Sequence, residues 1–241
     1  MDGKALSSFF SQSSLAYHAV VHSNSLVKVP DEFPLKLAGP LGCGIQTGAG
    51  VVLNCLKPSA GESIAVFGCG AVGMSAIMAA RLAGCLRIIA VGGNPESLAL
   101  AKEIGATHTV NRKETEDIPG IIREITGAGV EYALDTSGVE SMVKTALRSC
   151  NYTGKVVTAG AAQLSLNTGM DLGAKSLIGV SEGNSNPKVF IPRMIHYYLQ
   201  GRFPVDKLMK FYDFEDLNTA FADSNRGKAI KAVLVRRDVD Q

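Results

Sequence analysis

The chain has 241 residues, of which 46% are hydrophobic and 19% are charged, and its formal net charge at pH 7 is +2. These values are typical of a globular protein with a large core; they exclude a disordered or collagen-like chain and indicate no nucleic-acid-binding surface. Because no apolar run approaches the roughly 20 residues of a membrane helix and no signal peptide opens the chain, we expect a cytoplasmic protein that binds no membrane.

The first 45 residues are predicted to belong to a small β-rich unit. Two β-branched runs, at 15–21 and 25–29, favour strands with a turn between them. A last strand is predicted at 230–235, which suggests that both ends of the chain form this unit. We therefore expect three segments, namely the β-rich residues 1–45, a dinucleotide-binding domain at 46–187, and a segment at 188–241 that returns to the first.

A glycine-rich turn follows the first strongly apolar run of the central segment. Gly68, Gly70 and Gly73 have the spacing G-x-G-x-x-G, directly after residues 63–66 and before a helix-like stretch at 74–82. In a strand–turn–helix unit, the first glycine permits a tight turn, the second lets the backbone approach a pyrophosphate, and the third lets helix and strand pack closely. The unpaired N–H groups of the helix then bind the phosphates. The motif predicts a dinucleotide site.

After this turn, strand-like and helix-like segments alternate. This pattern is typical of a doubly wound α/β fold, with a parallel sheet covered by helices on both faces. Asn94 and Pro95 are expected to start one of the helices, as its cap and first residue. Strands are predicted at 86–91, 107–110, 130–134, 155–159 and 176–180, and helices at 94–104, 118–125, 139–150 and 189–199.

The position that usually selects NAD carries no acid. About 20 residues after the glycine turn, an Asp or Glu normally binds the ribose hydroxyls of NAD, whereas this chain has Gly92, followed by Gly93 and Asn94. The missing carboxylate removes a hydrogen bond to NAD and a repulsion of the 2′-phosphate of NADP. We therefore expect NADP rather than NAD, with Asn94 and Ser97 as neutral donors; the alternative is a nucleotide site that has decayed.

Six motifs in chain order carry a resemblance to one enzyme family. They are residues 42–50 (GCGIQTGAG), 65–73 (AVFGCGAVG), 101–111 (AKEIGATHTVN), 135–138 (DTSG), 179–183 (GVSEG) and 227–231 (GKAIK). These motifs resemble the medium-chain zinc-dependent alcohol dehydrogenases, and among them the aryl- or benzyl-alcohol dehydrogenase branch. The resemblance implies a Rossmann domain and identifies residues 1–45 as a remnant of a longer catalytic domain.

The resemblance also bears on metal binding. Cys43 matches the third ligand of the catalytic zinc in that family, whereas the positions of the other two ligands precede the matching region. One thiolate cannot hold Zn²⁺ in a site that needs three protein ligands and a water. We therefore expect no bound metal and chemistry that is independent of zinc.

The resemblance places the remaining cofactor contacts on particular residues. It implies that Thr47 and Val72 lie beside the nicotinamide, that Lys231 reaches the pyrophosphate, and that the loops after the later strands meet the ribose and carboxamide. The catalytic residues are not identified, and the candidates are Cys43, Thr47, Asp135 and Glu182. The full set of predicted cofactor residues is Thr47, Gly68, Gly70, Ala71, Val72, Gly73, Gly92, Gly93, Asn94, Thr136, Ser137, Ala159, Gly160, Ala161, Val180, Ser181 and Lys231.

The function that this implies is a zinc-independent, NADP-preferring oxidoreductase acting on a small aromatic or conjugated alcohol or carbonyl compound. Two alternatives stay open: a non-redox enzyme (an isomerase, lyase or cyclase) that reuses the same cleft, and a non-catalytic nucleotide-binding remnant. In the family, the last strand of the sheet also pairs across a dimer. Residues 176–180 occupy that place, so we expect a homodimer.

Overall fold

The computed structural model describes residues 15–236. None of the helices in this part of the chain is both long and apolar enough to cross a membrane. The strands are β1 (Ser63–Phe67), β2 (Arg87–Gly92), β3 (His108–Asn111), β4 (Val130–Asp135), β5 (Cys150–Thr158), β6 (Ser176–Gly179), β7 (Met209–Asp213) and β8 (Lys231–Val235). The α-helices are α1 (Gly44–Gly50), α2 (Ala71–Ala83), α3 (Pro95–Ile104), α4 (Ile118–Thr126), α5 (Glu140–Ser149), α6 (Pro187–Leu199) and α7 (Leu217–Asn225).

The first six strands form one parallel sheet in the order β3-β2-β1-β4-β5-β6. This is the strand order of the Rossmann fold, so the predicted doubly wound sheet is confirmed. The order reverses between β1 and β4, where the chain leaves the sheet in opposite directions. Loops that follow these two strands therefore diverge and leave a crevice at the carboxyl edge.

The alternation of side chains along β1 explains why both faces of the sheet are covered. Ile64 and Val66 pack into one core with residues of α2, including Met74 and Ile77. Ala65 and Phe67 point to the opposite face and join a second core with residues of α4 and α5. All five residues of β1 are buried, as expected for the central strand of a sheet that lies between two helix layers.

The capping residues set the start of α3 where the sequence predicts it. The Asn94 side chain accepts hydrogen bonds from the backbone N–H groups of Glu96 (2.8 Å) and Ser97 (3.3 Å), and Pro95 opens the helix. This arrangement satisfies donors that would otherwise have no partner within the helix. The cap fixes α3 directly behind the end of β2, at the edge of the crevice.

The small β unit differs from the prediction. Its two strands are β7 and β8, which pair in parallel and are linked through α7. Residues 15–21 and 25–29 form no strand, because β-branched composition favours a strand but a strand also needs a neighbouring strand with which it pairs. Tyr17 nevertheless contacts this unit, with its ring centroid 5.2 Å from that of Phe214.

β6 lies at one edge of the large sheet, and its residues are partly or largely exposed. An exposed edge can pair with another chain, which is the contact expected for the predicted homodimer. The homodimer stays a prediction, as do the two domain boundaries at 45 and 187.

Candidate functional site

A cleft of about 590 Å³ opens at the carboxyl edge of the sheet, where the strand order reverses. Its walls come from the segments that follow β1, β2, β3 and β4, together with the turn between α7 and β8. Of the predicted cofactor residues, six line this cleft: Gly68, Gly70, Gly92, Gly93, Asn94 and Ser137.

The three glycines of the turn occupy three different environments. Gly68 has φ +111°, which side chains rarely permit. A Cβ atom on Gly73 would lie 1.8 Å from the carbonyl oxygen of Gly68, so a side chain there would force the helix away from the strand. At Gly70, in contrast, a Cβ atom would meet nothing within 4 Å. The turn therefore leaves its backbone open on the cleft side, where α2 begins, and this shape fits a pyrophosphate.

The end of β2 is closely packed on one side. A Cβ atom on Gly92 would lie 2.8 Å from the Cys69 Sγ and 3.1 Å from a methyl carbon of Leu98. The Cys69 Sγ lies 3.8 Å from the Val91 carbonyl oxygen, to which it donates a hydrogen bond, and burial raises the pKa of this thiol to about 11. Cys69 is therefore a neutral packing residue at neutral pH, and no Asp or Glu among the described residues lines the cleft at this end of β2.

Asp135 binds the backbone and a side chain of the loop that follows β4. Its side chain is fully buried and accepts hydrogen bonds from the Ser137 hydroxyl (2.6 Å), the Ser137 N–H (3.2 Å) and the Gly138 N–H (3.0 Å). Such a carboxylate holds the loop in place, and it does not line the cleft. These contacts favour a structural role for this candidate catalytic residue.

We expect an Asp135→Ala variant to lower the free energy of unfolding by about 3 kcal/mol, because it leaves the buried loop donors without an acceptor. For a chain of this size the melting temperature should then fall by about 6–12 °C. Thermal unfolding followed by circular dichroism measures the change, with Asp31→Ala, an exposed acid on another loop, as the control. An Asp135→Ala variant as stable as the control would contradict the structural role.

The loops after β4 and β5 pack against each other through their backbones. A Cβ atom on Gly160 would lie 2.4 Å from the Gly138 nitrogen, and the Thr136 hydroxyl donates to the Phe67 carbonyl oxygen (2.9 Å). These contacts hold the predicted residues Thr136 and Gly160 beside the cleft, although neither of them lines it. Eleven predicted residues do not line it: Thr47, Ala71, Val72, Gly73, Thr136, Ala159, Gly160, Ala161, Val180, Ser181 and Lys231.

A second polar cluster connects α1 with the segment after β6. The Glu182 carboxylate accepts hydrogen bonds from the Gln46 amide (3.0 Å) and the Thr47 hydroxyl (3.4 Å). Gln46 is 2% exposed, and its amide oxygen has no hydrogen-bond partner. Glu182 itself has φ +48°, a strained backbone conformation of the kind that concentrates at functional sites. The structure thus brings together two of the candidate catalytic residues, Thr47 and Glu182.

Cys43 lies exposed at the start of α1. A Cβ atom on the next residue, Gly44, would contact the side chains of Ala71 (3.4 Å) and Val72 (3.6 Å), so Cys43 is close to the start of α2. Within residues 15–236, no three His, Cys, Asp or Glu side chains are grouped closely enough to hold a metal ion. The donor set that surrounds Cys43 in this part of the chain therefore does not fit a tetrahedral zinc site.

Sequence reasoning missed two cleft residues, Arg112 and Lys113, which follow β3. The parallel register places Asn111 beside Gly92, and the Arg112 N–H donates to the Gly92 carbonyl oxygen (2.8 Å). The usual sequence signal for a 2′-phosphate site is an Arg directly after β2. The sequence could have pointed to these residues only through a further rule, namely that neighbouring parallel strands end at the same edge of the sheet.

Comparison with known proteins identifies relatives over most of the chain. A family model described as zinc-binding dehydrogenase matches residues 71–195. The geraniol dehydrogenase of Castellaniella defragrans is 41% identical over 237 residues, which cover 95% of this chain and 63% of that protein. Alcohol dehydrogenase 2 of Hordeum vulgare is 33% identical over 97% of this chain and 63% of its own length. The chain therefore spans about 63% of the length of these relatives.

Solved structures agree with this assignment. An alcohol dehydrogenase zinc-binding domain protein from Burkholderia ambifaria is 48% identical with a TM-score of 0.88, covering 94% of this chain and 62% of that one. The benzyl alcohol dehydrogenase of Acinetobacter calcoaceticus is 43% identical with a TM-score of 0.89, covering 94% and 64%. Because the family model alone matches more than half of the 241 residues and the fold agrees, the chain belongs to the zinc-binding dehydrogenase family.

Proposed function

We propose that the chain contributes the dinucleotide site of an alcohol oxidoreductase, which uses NADP in preference to NAD and needs no zinc. The observation that carries the proposal is the glycine turn, whose open face at Gly70 lies on the cleft at the point where the strand order reverses. Ligands of doubly wound sheets bind at this point. The relatives are named as geraniol, benzyl alcohol and other alcohol dehydrogenases, which supports the reaction class.

The preference for NADP rests on the end of β2. Gly92 supplies no carboxylate to bind the ribose hydroxyls of NAD, and no Asp or Glu lines the cleft among the described residues. A 2′-phosphate therefore meets no like charge there. NAD, in turn, lacks a charge-assisted hydrogen bond of a kind that contributes about 1.5–3 kcal/mol.

We propose an aromatic or conjugated alcohol, or the corresponding carbonyl compound, as the substrate. The names of two relatives support this class, because benzyl alcohol and geraniol both give conjugated aldehydes on oxidation. The polar cluster of Thr47 and Glu182 lies at the start of the segment after β6, at the same edge of the sheet as the glycine turn.

In this reaction a bound nicotinamide supplies transfer of a hydride to or from the carbinol carbon. The chain must then accept or donate the hydroxyl proton. We assign the transfer of that proton to the Glu182 carboxylate, since the Thr47 hydroxyl and the Gln46 amide hold this carboxylate in place from α1. No step is assigned to zinc, because the described donors near Cys43 do not form a site for it.

The proposal predicts direct deuterium transfer from C4 of deuterated NADPH to benzaldehyde, detected by mass spectrometry of the benzyl alcohol. We expect Glu182→Gln to lower kcat by about 100- to 10,000-fold, because it removes the general acid–base group while NADP binding is retained. Glu124→Gln, an exposed carboxylate on α4, is the matched control and should leave kcat unchanged.

The assay is repeated after treatment with a chelator, together with metal analysis of the purified protein. Activity that survives this treatment supports chemistry independent of zinc, whereas stoichiometric zinc whose removal stops turnover would overturn that part. Turnover at the same rate with and without the dinucleotide would favour the non-redox alternative. NADP binding without turnover of any alcohol or aldehyde would favour the non-catalytic one.

A further inference from the structure

We propose that Arg112 and Lys113, on the loop after β3, form a phosphate clamp that binds the 2′-phosphate of NADP above Gly92 and Gly93. This inference deepens the proposed function and rests on it. The sequence offers no Arg directly after β2, so the cation that recognises this phosphate must come from another element. The structure points to the neighbouring strand.

The backbone fixes this loop next to the end of β2. Gly92 pairs with Asn111 in the parallel ladder, and the Arg112 N–H continues the ladder by donating to the Gly92 carbonyl oxygen at 2.8 Å. Arg112 is therefore one residue beyond β3, and its side chain starts level with the end of β2. In this fold the adenosine ribose of a dinucleotide lies at the same level.

The two side chains lie over Gly93. A Cβ atom on Gly93 would be 3.1 Å from the Arg112 Nε and 3.2 Å from the Lys113 Cε. Because glycine stands at this position, the guanidinium and the lysine stem approach the backbone that follows β2. Both side chains also line the cleft, together with Asn94 and Ser97.

The charges of the cleft are unbalanced in favour of an anion. Among the residues that the structure describes, Arg112 and Lys113 are the cations that line it, and no Asp or Glu lines it. The ion pairs among the described residues include Lys144–Glu140, Lys207–Glu103 and Lys210–Asp223, and neither clamp residue takes part in one of these. Both residues are exposed and accessible to a ligand.

The chemistry of the pair suits a phosphate monoester. A guanidinium can donate two parallel hydrogen bonds to phosphate oxygens, and an ammonium adds a mobile point charge. The glycine turn already provides backbone N–H groups at the start of α2 for the pyrophosphate. A second anionic group on the same ligand, placed at the end of β2, would account for the two cations that lie there. Of the two dinucleotides, only NADP carries such a group.

The test is isothermal titration of NADP and NAD into wild type and the double variant Arg112→Gln/Lys113→Gln. The control is Lys102→Gln/Arg148→Gln, which removes the same charge from exposed residues of α3 and α5 outside the cleft. We expect the clamp variant to weaken NADP binding by about 10- to 100-fold and to change NAD binding by less than about twofold. The control should change neither, and all variants should melt at the wild-type temperature.

The remaining outcomes separate the clamp from the proposed function. If NAD and NADP weaken equally in the clamp variant, the two residues contact the pyrophosphate, and the clamp is wrong. If wild type binds NADP and the variant binds it equally well, the residues do not touch the ligand, and the clamp fails while the proposed function stands. If wild type binds neither dinucleotide, both proposals fail.

Discussion

A Gly73→Ala variant is expected to lose measurable NADP binding and at least about 3 kcal/mol of the free energy of unfolding. The added Cβ atom would lie 1.8 Å from the Gly68 carbonyl oxygen and 2.9 Å from its carbonyl carbon, both of which are backbone atoms in the glycine turn. A backbone cannot rotate away as a flexible side chain can, so α2 must shift relative to β1. The shift displaces the N–H groups that would bind the pyrophosphate.

Two further glycine variants separate packing from binding. Gly70→Ala adds a Cβ atom in open space on the cleft side, so we expect stability within about 0.5 kcal/mol of wild type and NADP binding about tenfold weaker. Gly179→Ala also meets open space, at the end of β6 outside the cleft, and should change neither quantity. Chemical denaturation and isothermal titration measure the two effects. Gly73→Ala binding NADP as tightly as the Gly179→Ala control would contradict this role of the turn.

The second large effect is expected from a carboxylate at the end of β2. A Gly92→Asp side chain needs space, because its Cβ atom would lie 2.8 Å from the Cys69 Sγ. We therefore combine it with Cys69→Ala. The double variant should bind NADP about 100-fold more weakly, through repulsion of the 2′-phosphate, and NAD about tenfold more tightly, through a hydrogen bond to the ribose.

The uncharged pair Cys69→Ala/Gly92→Ala is the matched control for this experiment. It makes the same change in packing without the carboxylate, so it should alter the affinities for NAD and NADP by the same factor. Titration of both dinucleotides into both double variants gives the comparison. Equal changes for NAD and NADP in the Asp variant would mean that position 92 does not face the 2′-position of the ribose.

The fold of the central segment could be predicted because its signals are local. The G-x-G-x-x-G spacing, the Asn94–Pro95 helix start and the short buried strands each depend on residues within a few positions. The small β unit could not be predicted in the same way. Residues 25–29 have β-branched composition but pair with no other strand among the described residues, whereas β7 has exposed, mixed residues and acquires its partner, β8, only after α7.

The same distinction between local and non-local signals applies to the candidate site. The turn at 68–73 and the missing acid at Gly92 can be read from local spacing and from a family pattern. Arg112 is 20 positions beyond Gly92 and reaches the same cleft only through the β2–β3 ladder. Likewise, Asp135 ends a strand at the ligand edge, as a catalytic acid would. Only its burial and its contacts with Ser137 and Gly138 favour a structural role.

NADP binding in the cleft at the glycine turn underlies both proposals. Isothermal titration of the wild-type chain with NADP and with NAD tests it most directly, because it requires no substrate and no assumption about catalytic residues. We expect one NADP per chain with a dissociation constant in the micromolar range, at least about tenfold tighter than NAD. A chain that is folded by circular dichroism and binds neither dinucleotide would show that the cleft is not a dinucleotide site.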